Sequence, residues 1–128
     1  MNDNVYYEIQ EETSFTSEVT RFVRKKHYRS LPSQIRELAE ELRSGRFSGD
    51  VFKRSDDPPY DVYKKRLPNP DTKTGKSGGY RVIYLAEHKH MIVAMLVIYN
   101  KKEIEALADA YIEGLVDGFV SALYEQAR

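Results

Sequence analysis

Lysine and arginine crowd three short stretches that otherwise read as β-strand. One is Lys76-Ser77-Gly78-Gly79-Tyr80-Arg81-Val82-Ile83-Tyr84; upstream stands Tyr63-Lys64-Lys65-Arg66-Leu67, and downstream Tyr99-Asn100-Lys101-Lys102-Glu103. A strand that only packs a core has no local reason to collect cations, whereas a surface that grips phosphate does. Alternate residues of a strand share a face. Lys64 and Arg66 therefore point one way, and Tyr63, Lys65 and Leu67 the other. With Arg81 on the neighbouring strand and Lys101 and Lys102 at the end of the next, the cations line a basic face, with Tyr80, Tyr84 or Tyr99 near it. Charge to hold phosphates and rings to stack bases suit RNA.

The same groups are the parts of a metal-free phosphodiester cleavage. The RNA 2′-hydroxyl must lose a proton, the charge on phosphorus must be stabilised, and the leaving 5′-oxygen must gain a proton. An arginine clamps the developing charge. A lysine crowded by other cations has its pKa lowered and serves as acid or base. Phosphate binding without cleavage carries the same signature.

Other constellations read as structure. His88 and His90 are two apart on a tight turn and lack a third ligand, so a solvated turn is expected and no metal site. His27 stands among Lys25, Lys26 and Tyr28 at a helix end, where a cation suits the dipole. Gly75-Lys76-Ser77 resembles the end of a phosphate loop, but Pro70 occupies the place of its first glycine. Asp56-Asp57 before two prolines reads as a turn. With no cysteine, disulfide and thiol chemistry are excluded.

The elements that must position these residues follow from periodicity. Val5 to Gln10 reads as an opening strand. Phe15, Val19, Phe22 and Val23 form a helical face with Thr13 or Ser14 as cap, and Leu31-Pro32 opens a second helix whose stripe is Ile35, Leu38, Ala39 and Leu42, stopped at Gly45. Residues 46–60 read as a connector. Strands follow at about 61–67, 79–87 and 90–99, the last apolar on both faces as a central strand would be. A final helix is predicted over about 102–126, with Gly114 and Gly118 on one face. The order βααβββα predicts an α+β fold, a small and mostly antiparallel sheet with helices packed on one face, in a single domain spanning residues 1–128.

The zero net charge conceals segregation. Residues 1–20 carry five acids and no base, residues 103–128 a net −5, and residues 21–102 hold 19 Lys and Arg against 9 acids, a net +10. An anionic partner for the middle of the chain is implied. The longest apolar run, Met91 to Tyr99, is far short of a membrane span, and the Met1 end is polar and acidic, so a soluble cytoplasmic protein is expected.

The run Gly75 to Tyr84, together with Tyr63-Lys64-Lys65-Arg66-Leu67 and Lys101-Lys102-Glu103, resembles the RelE/HigB-like toxins of bacterial type II toxin–antitoxin systems over roughly residues 5–110. The resemblance implies a RelE-like fold and an endoribonuclease that cleaves mRNA, often on the ribosome, without metal or cofactor. It matches Lys64 and Arg66 to paired basic positions on the second strand, Arg81 to the arginine of the Gly-Tyr-Arg motif, and Lys102 to a basic position after the last strand. Lys64 would be the proton acceptor, Arg81 the charge clamp, and Arg66 and Lys102 phosphate contacts or acid. Lys65, Lys76, Tyr80, Tyr84, Tyr99 and Lys101 would contact RNA.

The chain departs from the RelE branch at Ala108, where a tyrosine is expected early in the final helix; Tyr99, Tyr84 or Tyr111 would have to replace it. A protein antitoxin is the implied partner, and the long final helix offers a face for it or for a second copy. Two alternatives stay open: a non-enzymatic toxin like the related ParE group, which inhibits DNA gyrase by binding, and an RNA-binding relative that has lost toxicity.

Overall fold

A computed structural model describes residues 6–72 and 78–126. The elements run β1 (Glu8–Glu11), α1 (Thr13–Arg24), α2 (Leu31–Arg43), β2 (Asp50–Asp56), β3 (Pro59–Leu67), β4 (Tyr80–Glu87), β5 (Ile92–Asn100) and α3 (Asp109–Gln126). The five strands form one α+β sheet in the order β1-β5-β4-β3-β2. β1 is parallel to β5 and every other pair is antiparallel.

The helical hairpin carries the chain from one sheet edge to the other. α1 buries Phe15 and Phe22, and α2 buries Leu31, Ile35, Leu38 and Leu42, each at helical spacing. Pro32 sits in the first turn of α2, where its missing N–H costs nothing. The expected Thr13 or Ser14 cap is absent: Glu12 is the N-cap residue, and the Ser14 hydroxyl donates instead to the Leu96 carbonyl at 2.5 Å.

Two clusters of buried side chains lie on opposite faces of the sheet. One joins α1 and α2 to Tyr63, Tyr80, Val82, Tyr84 and Ala86; the other joins α3, through Ile112, Val116 and Phe119, to Val62, Ile83, Leu85 and Tyr99. The expectation of helices on one face is thereby corrected. β5 is apolar on both sides because each side has its own helical cover, and all nine of its residues are buried. Its register with β4 shifts between Ile83 and Tyr84, where Leu96 stands as the extra residue of a bulge. Leu96 and Val97 consequently both belong to the cluster under α3, and Ile98 to the other.

Two further expectations change. The supposed connector contains β2, a strand of mostly polar residues at the sheet edge, where one side of the backbone needs no partner. The last helix starts at Asp109 rather than near Lys102. Asn100, 2% exposed, holds the chain in a turn there: its side-chain oxygen accepts the Lys102 N–H at 3.0 Å, and its carbonyl accepts the N–H groups of Glu103 and Ile104. No helix among the described residues is long and apolar enough to cross a membrane.

Candidate nucleic-acid interface

Strand register brings three of the predicted residues into one row. Arg66 of β3 is opposite Arg81 of β4, and Arg81 is opposite Tyr99 of β5. Lys64 lies one same-face step along β3, opposite Ile83. Ile83 and Tyr99 belong to the cluster under α3, so the row occupies the α3 face, at the end of the sheet where β3 finishes and β4 begins. Arg66 is exposed and Lys64 half-buried, whereas Arg81 is 5% and Tyr99 4% exposed. Neither Lys64 nor Arg66 has an ion-pair partner among the described residues.

Two like charges directly opposite on one sheet face repel. An anion seated between Arg66 and Arg81 offsets that repulsion, and a buried guanidinium holds it in a surrounding of low dielectric. Arg81 Nη1 donates to the Tyr80 carbonyl at 3.2 Å, which orients the guanidinium. Burial raises the Tyr99 phenol above its ordinary pKa, and the nearby Arg81 charge only partly offsets this, so Tyr99 remains a neutral donor and an apolar ring.

The motif glycine has a separate cause. A Cβ on Gly79 would lie 2.2 Å from the Leu67 carbonyl oxygen, so only glycine lets β4 enter against the end of β3. Beside it the Lys101 N–H donates to the Gly79 carbonyl at 3.0 Å, which places Lys101 and Lys102, both exposed, at the same end of the sheet. Glu103 anchors that turn to α1, accepting from Arg21 Nη2 at 2.6 Å and standing 3.4 Å from Lys26 Nζ. The Arg21 hydrogen bond holds the Glu103 carboxyl below the ordinary carboxylate range.

The remaining predicted contacts fall elsewhere. Lys65 points to the α2 side, where its Nζ donates to Ser48 Oγ at 2.7 Å. Tyr80 and Tyr84 are 0% exposed and lie under α1 and α2, on the face opposite the cationic row. The expectation that they offer rings to RNA is corrected: Tyr80 packs against Phe22 and Tyr28, and the Tyr84 hydroxyl donates to the Ser48 carbonyl at 2.7 Å while accepting the Ser48 N–H at 2.8 Å. Tyr111, in the first turn of α3, is 47% exposed. It lines an apolar groove of about 380 Å³ together with Tyr99, Ile104 and Leu107. Lys76 lies outside the described residues.

Periodicity missed the β4–β5 turn. His88 and His90 are half-buried rather than solvated. His88 is hydrogen-bonded through Nδ1 to the Tyr7 hydroxyl and through Nε2 to Asp61, both at 2.9 Å, and Asp61 also pairs with Arg54 at 3.1 Å. Glu87, 0% exposed, accepts the His90 N–H at 2.7 Å and the hydroxyl of Tyr124. Burial alone would raise the Glu87 carboxyl, but the hydrogen bonds from Tyr124 and His90 outweigh it and hold the group below its ordinary value. These contacts staple β1, β3 and the end of α3 to one turn. Among the described residues no group of three His, Cys, Asp or Glu could hold a metal ion.

A second depression, a groove of about 490 Å³, runs between α2 and the outer edge of β3. It exists because β2 ceases to pair at Asp50, opposite Lys64, leaving Lys65 to Leu67 without a neighbouring strand on that side. Gly49 makes the departure tight: its φ is +121°, and a Cβ there would lie 2.7 Å from the Lys64 carbonyl oxygen. No protein-family model matches this chain, and no curated protein matches it.

Proposed function

We propose that this chain is the toxin of a bacterial toxin–antitoxin pair, a metal-independent endoribonuclease of the RelE/HigB-like kind acting on mRNA. The observation that carries the reading is the row Arg66–Arg81–Tyr99 with Lys64 beside it on one sheet face. A phosphodiester seated there places its non-bridging oxygens on Arg66 and Arg81, whose planar donors match them. Lys64 takes the proton of the 2′-hydroxyl, whose oxygen attacks the adjacent phosphorus. The P–O5′ bond breaks, Lys102 or Arg66 protonates the leaving oxygen, and the products are a 2′,3′-cyclic phosphate and a 5′-hydroxyl. Arg81 stabilises the charge that grows on phosphorus. The antitoxin is read as a protein whose acidic segment covers this face.

The depth of Arg81, 5% exposed, favours a second reading in which the face holds an anionic partner and cuts nothing. Primer extension on mRNA after induction in cells separates the two. Wild type yields discrete cleavage products, and Arg81→Ala reduces them by about 100-fold, the scale expected for loss of a charge-stabilising donor. Identical patterns from both proteins, or none from wild type, refute the nuclease; inhibition of DNA supercoiling by the purified protein without RNA cleavage establishes the gyrase-binding alternative.

A further inference from the structure

The groove between α2 and the free edge of β3 has two unlike walls. Along α2, Glu37 and Glu41 stand one turn apart on the same side. Neither has an ion-pair partner among the described residues. Above them Gln34 donates through Nε2 to the Pro68 carbonyl at 2.8 Å, which leaves its Oε1 buried with no partner. That wall is therefore rich in acceptors. The β3 wall presents the Lys65 ammonium, with Lys64 and Arg66 flanking it along the strand edge and turned to the other face. Between the walls Leu38 and Leu67, 3% and 9% exposed, supply apolar surface. The volume, about 490 Å³, is within the range of small-ligand clefts.

We infer that this groove is a base-recognition subsite, selective for guanine, for the RNA whose phosphate occupies the Arg66–Arg81 row. The inference rests on the function proposed above and names what that site would select. Guanine presents N1–H and N2–H₂ donors on one edge and O6 and N7 acceptors on the next. The first edge meets Glu37 and Glu41, and the second meets Lys65, a cation of the kind that recognises O6 and N7, while Arg66 stays on the phosphate. The flat ring lies on Leu38 and Leu67. Uracil turns two carbonyl oxygens toward the groove with a single N–H between them, so carboxylates repel it. Because β2 has ended, β3 is the edge of the sheet at Lys65 and Arg66, and an RNA strand passes from the phosphate row to the groove around that one edge.

The test is fluorescence anisotropy of the full chain with non-cleavable 2′-O-methyl oligonucleotides, all uridine except for one central guanosine, inosine or uridine. Wild type binds the guanosine strand about tenfold tighter than the all-uridine strand, the discrimination of one good bidentate contact. Inosine, which lacks the N2 amino group, falls between them. In the double variant Glu37→Gln/Glu41→Gln the ratio falls to about one, while affinity for the all-uridine strand rises as two negative charges leave the groove. Glu37→Gln alone gives a reduced ratio. Glu40→Gln, on the exposed side of α2, keeps the wild-type ratio. Equal wild-type affinity for the three strands overturns the inference, as does a preference that survives in the double variant or competition from an extended peptide in place of guanosine. Absence of binding even to the all-uridine strand refutes the phosphate site itself, a distinct outcome because that strand tests the cationic row without the groove.

Discussion

Arg66 and Arg81 are register partners across β3 and β4, two guanidinium groups opposed on the same face of the sheet. The two like charges repel across the strands, and an anion lying between them weakens that repulsion. Replacing the exposed member should separate the two effects. Arg66→Ala leaves stability unchanged or raises it by up to about 0.5 kcal/mol, because a like-charge cross-strand pair is removed. RNA affinity falls, and the slope of its logarithm against log salt shrinks by about 0.7, the share of one phosphate contact to a single strand. Urea unfolding and a salt titration of binding check both signs.

Gly79→Ala should destabilise the fold by about 3 kcal/mol, the upper range for forced overpacking, because the new Cβ meets the Leu67 carbonyl with no side chain free to move aside. The midpoint of urea unfolding reports it. A loss under 1 kcal/mol, an order-of-magnitude threshold for a mild backbone change, would mean that the two strands separate more easily than their contact implies.

Parts of this architecture could be read from residue order and parts could not. The stripes of α1 and α2 and the doubly apolar β5 were legible because burial there follows a simple period. So was the separation of Lys65 from Lys64 and Arg66, since it needs only the alternation of a strand. β2 was not legible: an edge strand as polar as Asp50–Asp56 lacks the apolar signal that marks a buried one. The start of α3 was masked because Ile104 and Leu107 continue its apolar spacing while the Asn100 turn breaks the backbone. The burial of Tyr80 and Tyr84 depends on which face the first two helices cover, a fact of chain crossing rather than of local pattern.

Tyr84→Phe should cost about 1 kcal/mol, the net worth of a hydrogen-bonded hydroxyl. The residue is 0% exposed and its hydroxyl joins the Ser48 backbone. Because the ring lies beneath the helical hairpin, affinity for single-stranded RNA should not change. A thermal melt and the same anisotropy titration give the two readings, and weaker RNA binding at unchanged stability would place the ring on the wrong face.

Stability should fall with acid through the Glu103 and Glu87 carboxyls. Both have folded pKa values below their ordinary ones, so the unfolded chain binds more protons in the window between the two states. Their contribution is complete above the unfolded value of about 4.3 and is lost as pH drops through the lower folded values. Unfolding midpoints measured from pH 7 downward should decline most steeply below about pH 4.3. Glu103→Gln should start lower at neutral pH, since the Arg21 pairing is weakened, and decline less steeply. Parallel curves for the two proteins would show that Glu103 is not held as described.

The extra residue in β5 reaches beyond packing. Counting by twos from Met95, Val97 and Tyr99 would fall under the helical hairpin with it, yet both belong to the cluster beneath α3. Leu96 resets the count, and with it the side on which a phenol meets Arg81. Were the strand to pair straight through with Leu96 kept and the bulge flattened, each downstream side chain would turn to the other surface, so that Tyr99 faces α1 and Ile98 takes its place beside the arginine; excising Leu96 would keep the present faces. Relatives of this chain that lack the bulge should therefore be one residue shorter at this point of the strand, so that the tyrosine still meets the arginine.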